Sequence, residues 1–221
     1  MSQSQTLGSS EIQRKANNVV HLFLVWEQRK IPIKRADINK YVMKDHKSSY
    51  AEVMKHVEKK LHDVFGLQLV EIGEAPKKAY ILVSVLDQSN SSEMMNWKGN
   101  SKRGLLLTVL TLIFMSGNSM SDGTLWNALK GLGIEKDKPH AVFGDVKKLL
   151  HQEFARQMYI EVTKVPNCDP PQFNYRWGLR TEHEISKKQI LEFVTKLYGK
   201  SNIMVWKSQY HDMITSEMQA D

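Results

Sequence analysis

The chemistry most open to reading in this sequence belongs to seven basic side chains. Lys147 and Lys148 stand in VFGDVKKLLHQEFARQ with Arg156 close behind. Arg176 and Arg180 belong to FNYRWGLR, and Lys102 with Arg103 precedes the apolar run GLLLTVLTLIFM. Lys and Arg side chains on or beside a groove-entering helix contact phosphate oxygens. Such binding is independent of base sequence and sensitive to salt. Nothing in the chain has the Arg/Asn pattern of direct base reading. An exposed Lys/Arg row is also an ordinary solvated helix face, and both readings stay open.

Bond-making chemistry finds little support. There is no Gly-rich phosphate loop, HExxH or CxxC pair, and the eight histidines lack metal-ligand spacing. Cys168 and His183 could form a nucleophile and base, but Cys168 sits in a Pro-rich turn with no activating neighbour and reads as a spectator. We expect no enzyme activity, cofactor or metal.

The elements that must position the basic residues follow from periodicity. Val146, Leu149, Leu150 and Phe154 fall on one side of a helix whose other side shows Lys147, Lys148, His151, Gln152 and Arg156. Tyr159 to Val165 fits a strand, PNCDPP ends it, and alternating Phe173, Tyr175 and Trp177 predict a second strand pairing back. A helix followed by a hairpin is the second half of a winged helix. Upstream, Leu105 to Met115 predicts a buried helix, too short for a membrane span. Leu125, Trp126 and Leu129 predict another after a Ser121 N-cap. Downstream, Ile185, Ile190, Leu191, Val194 and Leu197 predict an apolar helix, and Trp206 to Met218 a last one.

The first half spells the same order. A helix over about 11–28 is apolar around most of its circumference at VVHLFLVW, so either this chain or a partner covers the extra surface. A short helix follows Pro32. A third runs from Tyr50 to Phe65, with Val53, Val57, Leu61, Val64 and Phe65 inward and Gly66 as its stop. LQLVEI and AYILVSVL then make two strands. VEKKLHDVF at Val57–Phe65 aligns with VKKLLHQEF at Val146–Phe154, an internal repeat that puts His62 and His151 near each core boundary.

The fold class is therefore mainly α with small β-hairpin wings, as tandem winged-helix domains. We expect a disordered tail over 1–10, a first domain over 11–88, a polar Ser/Asn-rich linker over 89–101, and a second domain with C-terminal helices over 102–221. The 221 residues carry a formal net charge of +7, which makes an anionic partner plausible. The single cysteine excludes an intrachain disulfide and fits the nucleus or cytoplasm, and MSQSQTLGSS has no signal-peptide character.

IPIKRADI, VFG at Val64–Gly66, GLLLTVLTLIFMSGN, LWNAL, FGDVKKL and VPNCDPPQFNYRWGLR together resemble the MAGE homology domain family, over about residues 11–210. Departures are Leu179, where the family usually has proline, and Gly123, in a helix start that is usually acidic. The resemblance implies tandem winged helices and an adaptor that binds and stimulates a RING-type ubiquitin ligase. In the branch serving the SMC five/six genome-maintenance complex, it implies three partners: a RING-type subunit (non-SMC element one), a kleisin (non-SMC element four) and DNA, in nuclear chromatin. The family's pair of RING-supporting leucines falls on Phe23 and Leu24, flanked by Leu22 and Val25. The helix around Leu191 and Val194 would take the kleisin. The competing reading is a free-standing tandem winged-helix transcription regulator.

Overall fold

Ile12, Ala16, Val19, Val20 and Phe23 recur at helical spacing, and they form the buried stripe of the first helix, α1, Ser9–Glu27. In a computed structural model that describes residues 8–44, 46–73, 78–85 and 101–220, contacts divide the chain into two units, Met1–Asp87 and Gln88–Asp221. The architecture is mainly helical, with two three-stranded antiparallel sheets. The helix over Ser9 and Ser10 replaces the end of the expected tail; residues 1–7, and the linker apart from Ser101, lie outside the described residues.

In the first unit β1 (Ile33–Lys34) leads into α2 (Arg35–Ile38), a π turn over Asn39–Met43 and a 3-10 turn over Lys47–Ser49. The helix α3, Tyr50–Phe65, buries Val53, Met54, Val57 and Leu61 against α1. Gly66 stops it at φ 61, a left-handed conformation that costs glycine little. β2 (Leu67–Ile72) and β3 (Ala79–Ser84) pair back, and β1 joins the far edge of β3. Two inward assignments fail: Val64 is 71% exposed and Phe65 43%. They occupy the last turn of α3, and neither belongs to the core cluster.

The second unit repeats this order. Its first helix is α4, Ser101–Met115, with Leu105, Leu106, Val109, Leu110, Ile113 and Phe114 buried. After β4 (Ser119–Ser121), α5 (Asp122–Gly131) starts with the Ser121 hydroxyl accepting from the Thr124 N–H, as its N-cap reading predicts. The third helix begins as α6, Val146–Lys148, and widens into a π helix over Leu149–Phe154; all four predicted inward residues are buried. β5 (Ile160–Lys164) and β6 (Phe173–Trp177) form the hairpin, with β4 beside β6. Then follow α7 (Leu179–Glu184), α8 (Lys187–Leu197) and α9 (Lys207–Ala220). Ile190, Leu191, Val194 and Met213 join the cluster built on α4, so the C-terminal helices extend the core of this unit.

The repeat survives in part. Val57 and Val146 are buried, as are Leu61 and Leu150, but Phe65 is exposed where Phe154 is 3% exposed. The His62 side chain is 65% exposed, away from the core boundary. His151 is half-buried.

Gly178 joins β6 to α7, and its N–H donates to the Tyr159 carbonyl at 2.9 Å. A Cβ there would lie 2.3 Å from the Met158 carbonyl oxygen, and a backbone atom cannot swing aside. Gly178→Ala should therefore cost about 1–3 kcal/mol in urea unfolding of the full chain. Gly123→Ala, which meets open space, should leave stability unchanged or slightly raised.

Candidate partner and nucleic-acid interfaces

Lys148, Gln152 and Arg156 recur at four-residue steps along the third helix of the second unit, and all three are exposed. Lys102 reaches this helix from α4, its ammonium 2.8 Å from Glu153. Lys148 pairs with Asp145 at 3.6 Å and Lys147 with Asp137 at 3.8 Å. Exposed pairs of this kind contribute only about 0–1 kcal/mol, so the lysines can exchange a carboxylate for a phosphate. Arg103 is exposed at the start of α4. Arg176 stands apart: Tyr175 and Trp177 point into the core, so Arg176 lies on the outer face of the sheet, opposite Glu161 and Ser119.

Arg180 is not a surface cation. It is 0% exposed, its Nε donates to the Gln157 carbonyl at 2.9 Å and one terminal nitrogen to Glu184 at 3.0 Å. Tyr159 donates to the other Glu184 oxygen at 2.7 Å, with its ring under the guanidinium. The sequence places Arg180 near the wing, but the strand stops at Trp177 and α7 starts at Leu179, which turns Arg180 inward.

Behind the basic helix lies a polar network. The Asp122 carboxylate accepts from Trp126 Nε1 at 3.1 Å, from the Tyr175 hydroxyl at 2.9 Å and from Lys136. Burial would raise its pKa, but these donors hold it below the ordinary aspartate value. Tyr175 is pushed up by burial and by the carboxylate it serves. Since the Tyr175 proton goes to Asp122, His151 Nε2, 2.9 Å away, is the donor to the Tyr175 oxygen. Burial disfavours the imidazolium and lowers the His151 pKa. A cleft of about 680 Å³ opens beside the network, with Asp122, Lys136, Lys147, Pro170 and Phe173 among its lining. The sequence reading missed Asp122 and Lys136; the one available signal was the inward Tyr175, whose hydroxyl required a partner. No group of three or more His, Cys, Asp or Glu among the described residues is placed to hold a metal ion.

The apolar candidates divide in the same way. Phe23 is 0% exposed and meets Tyr80 edge-on at 6.1 Å, so it belongs to the core and not to a partner surface. Leu22 and Leu24 are partly buried against that core, while Val25 is 47% exposed. Leu191 and Val194, at 0% and 3% exposed, are likewise core residues. Their helix has one inward face, and it closes on α4 and α9. The apolar side chains that α8 leaves outside are Phe193, Leu197 and Tyr198 at its C-terminal end, with Met204 and Val205 following.

The MAGE homology domain pattern matches residues 19–188. This chain belongs to the MAGE homology domain family. It is 37% identical to human melanoma-associated antigen D2 over 95% of its own length, and it spans 34% of that relative. It is 38% identical to the human non-structural maintenance of chromosomes element 3 homolog over 94% of its length, spanning 68% of that protein, and 74% of the mouse one. A chain of the solved Nse1-Nse3-Nse4 complex superposes with a TM-score of 0.82 and 39% identity, covering 94% of this chain and 99% of that one. The mainly helical build with small antiparallel sheets is that of the MAGE family.

The network makes the second unit sensitive to pH. The folded His151 pKa lies below the unfolded value of about 6.5, so the unfolded state takes the proton first as pH falls. This contribution to stability is present above about pH 6.5 and is lost on acidification toward the folded pKa. Thermal unfolding followed from about pH 8 to about pH 5.5 should show a falling midpoint, with a shallower fall in His151→Gln. Parallel curves for the two proteins would remove His151 from the account.

Proposed function

We propose that this chain is a non-catalytic adaptor of a chromosome-maintenance and repair complex, built from two winged helices. In this reading it binds and stimulates a RING-type ubiquitin ligase subunit (non-SMC element one), holds a kleisin (non-SMC element four) and contacts DNA in nuclear chromatin. The observation that carries the reading is the superposition of 94% of this chain on a chain of the Nse1-Nse3-Nse4 complex. The winged-helix reading draws on the order of elements in each unit, three helical segments and then a hairpin joined by the strand between the first two.

An adaptor works by burying apolar area, so its contact residues must be exposed before binding. On α1 that leaves Val25 with Leu22 and Leu24 on its flanks as the RING surface, with Phe23 behind them as support. On α8 it moves the kleisin contact from Leu191 and Val194 to Phe193, Leu197 and Tyr198. For DNA, Lys148 and Arg156 form the central row, with Lys147, Lys102 and Arg103 beside them and Arg176 on the sheet.

Val25→Asp should weaken binding to the RING subunit at least tenfold, about 1.4 kcal/mol, with an unchanged melt. Leu24→Asp should do the same with some loss of stability, and Phe23→Asp should unfold the first unit. A RING titration indifferent to Val25→Asp would remove this face. Lys148→Glu with Arg156→Glu should lower DNA affinity and flatten its salt dependence by about 1 to 2 in log–log slope. High-affinity preference for one DNA sequence, with no protein partner recovered, would favour a free-standing regulator.

A further inference from the structure

The basic residues considered so far all lie in the second unit, yet the first is the more basic for its size. Residues 1–87 hold 14 Lys and Arg against 10 Asp and Glu, while residues 88–221 hold 17 against 14. We propose that the first unit carries its own DNA-backbone contact, formed by Lys34, Arg35 and Lys47 where α2 and α3 begin. This inference rests on the DNA reading above and extends it to a face that reading leaves unused.

The three cations are gathered by the fold. Lys34 is exposed in β1, and Arg35 is the exposed first residue of α2, its N–H donating to the Lys78 carbonyl at the base of the hairpin. The Arg35 guanidinium carbon sits 4.4 Å from the centre of the Tyr50 ring, the first residue of α3. Lys47 is exposed in the turn just before α3, and the Tyr50 N–H bonds to its carbonyl. So a strand, the start of a helix and the lead-in to a second helix each bring one cation to the same corner. Stacking on Tyr50 holds one of them in place before any ligand arrives.

Charge balance distinguishes this corner from an ordinary solvated face. Among the described residues, none of the three has an ion-pair partner. Glu71, a carboxylate that feels the Arg35 charge, is already taken by Lys78 and the Tyr80 hydroxyl. The second unit shows the contrast at the matching place. Ile33 pairs with Tyr80 in the first sheet as Met120 pairs with Tyr175 in the second, so Lys34 and Arg35 correspond to Ser121 and Asp122. There the helix opens with an acid whose charge is spent on Lys136; here two bases stand at its start, neither with an ion-pair partner among the described residues, and Asp37 follows in the first turn. No side chain caps α3, so the positive end of its dipole adds to the same field.

The chemistry fits a polyphosphate backbone. A duplex offers one phosphate per about 3.4 Å along each strand, so cations on successive elements are engaged without regard to sequence. An acidic peptide would also answer to charge, but peptide recognition draws on apolar anchors. The exposed side chains at this corner are Lys34, Arg35, Ala36, Lys47 and Ser48. Asp37 is half-buried and Glu52 exposed in the first turns of α2 and α3, so cations outnumber acids there and no large apolar anchor is among these side chains.

The test is fluorescence anisotropy of a short labelled DNA duplex titrated with the full chain over a salt series. Lys34→Gln with Lys47→Gln should weaken binding severalfold and reduce the slope of log affinity against log salt by close to 2, at about 0.9 per phosphate. Lys34→Arg with Lys47→Arg should keep the slope, and Lys59→Gln with Lys200→Gln, exposed elsewhere, should not change it. Among the described residues neither lysine has a side-chain partner, so the melt should not move. An unchanged slope in the Gln pair, with Lys148→Glu and Arg156→Glu still lowering it, would overturn this site and leave the DNA reading standing. A wild-type chain without salt-dependent affinity would end both. Loss of polyglutamate binding with DNA binding intact would give the corner to an acidic protein instead.

Discussion

The Asp122 carboxylate is buried at the start of α5, and a charge can stay there only if donors replace the water it loses. Those donors come from four different places: Trp126 one turn on, Lys136 in the following loop, Tyr175 on the central strand, and His151 through Tyr175 from the third helix. Helix, loop, sheet and basic helix are thus referred to one point. The exposed row of Lys148, Gln152 and Arg156 has a fixed direction because the opposite side of its helix is tied to this carboxylate and to the core beneath. A similar constraint acts at the other end of the sheet. Buried Arg180, matched by Glu184 and a backbone carbonyl, locks α7 to the segment before β5.

Periodicity made much of this legible. Tyr50 to Phe65 emerges with the predicted ends, Val146, Leu149, Leu150 and Phe154 all point inward, and Ser121 caps the helix it precedes. Those features depend on neighbours within a few residues. The misplaced assignments share another cause. An apolar stripe reveals that a helix has an inner side, and says nothing of whether this chain or another covers it. The stripe of α1 sets Phe23 inward, where the structure has it, and only the resemblance gives it to a RING partner; Leu191 and Val194, given to the kleisin, also fill their own unit's core. Arg180 fails because a helix starts two residues beyond the strand and turns the guanidinium inward, which nearness to the hairpin in sequence does not reveal. The Asp122 network joins residues 53 apart and has no local signature.

The two units keep one order of elements and differ where the helices begin. In the second, that corner is an internal salt bridge with a cleft beside it; in the first, it is an aromatic ring carrying a guanidinium. Duplication of a fold supplies two copies of every position, and the copies need not keep the same charge. An adaptor profits from that freedom, since one surface can serve a protein while its counterpart serves a polyanion.

Lys102, Lys147 and Lys148 each rest against a carboxylate of their own chain. Glu153, Asp137 and Asp145 act there as tethered counterions, occupying the places that dissolved anions hold around an isolated lysine. When a phosphate displaces one of them, the freed acid stays within reach and draws a cation from solution, offsetting part of the ion release that drives association. The surface would then hold nucleic acid less tightly than its count of lysines implies, and would let go of it more readily.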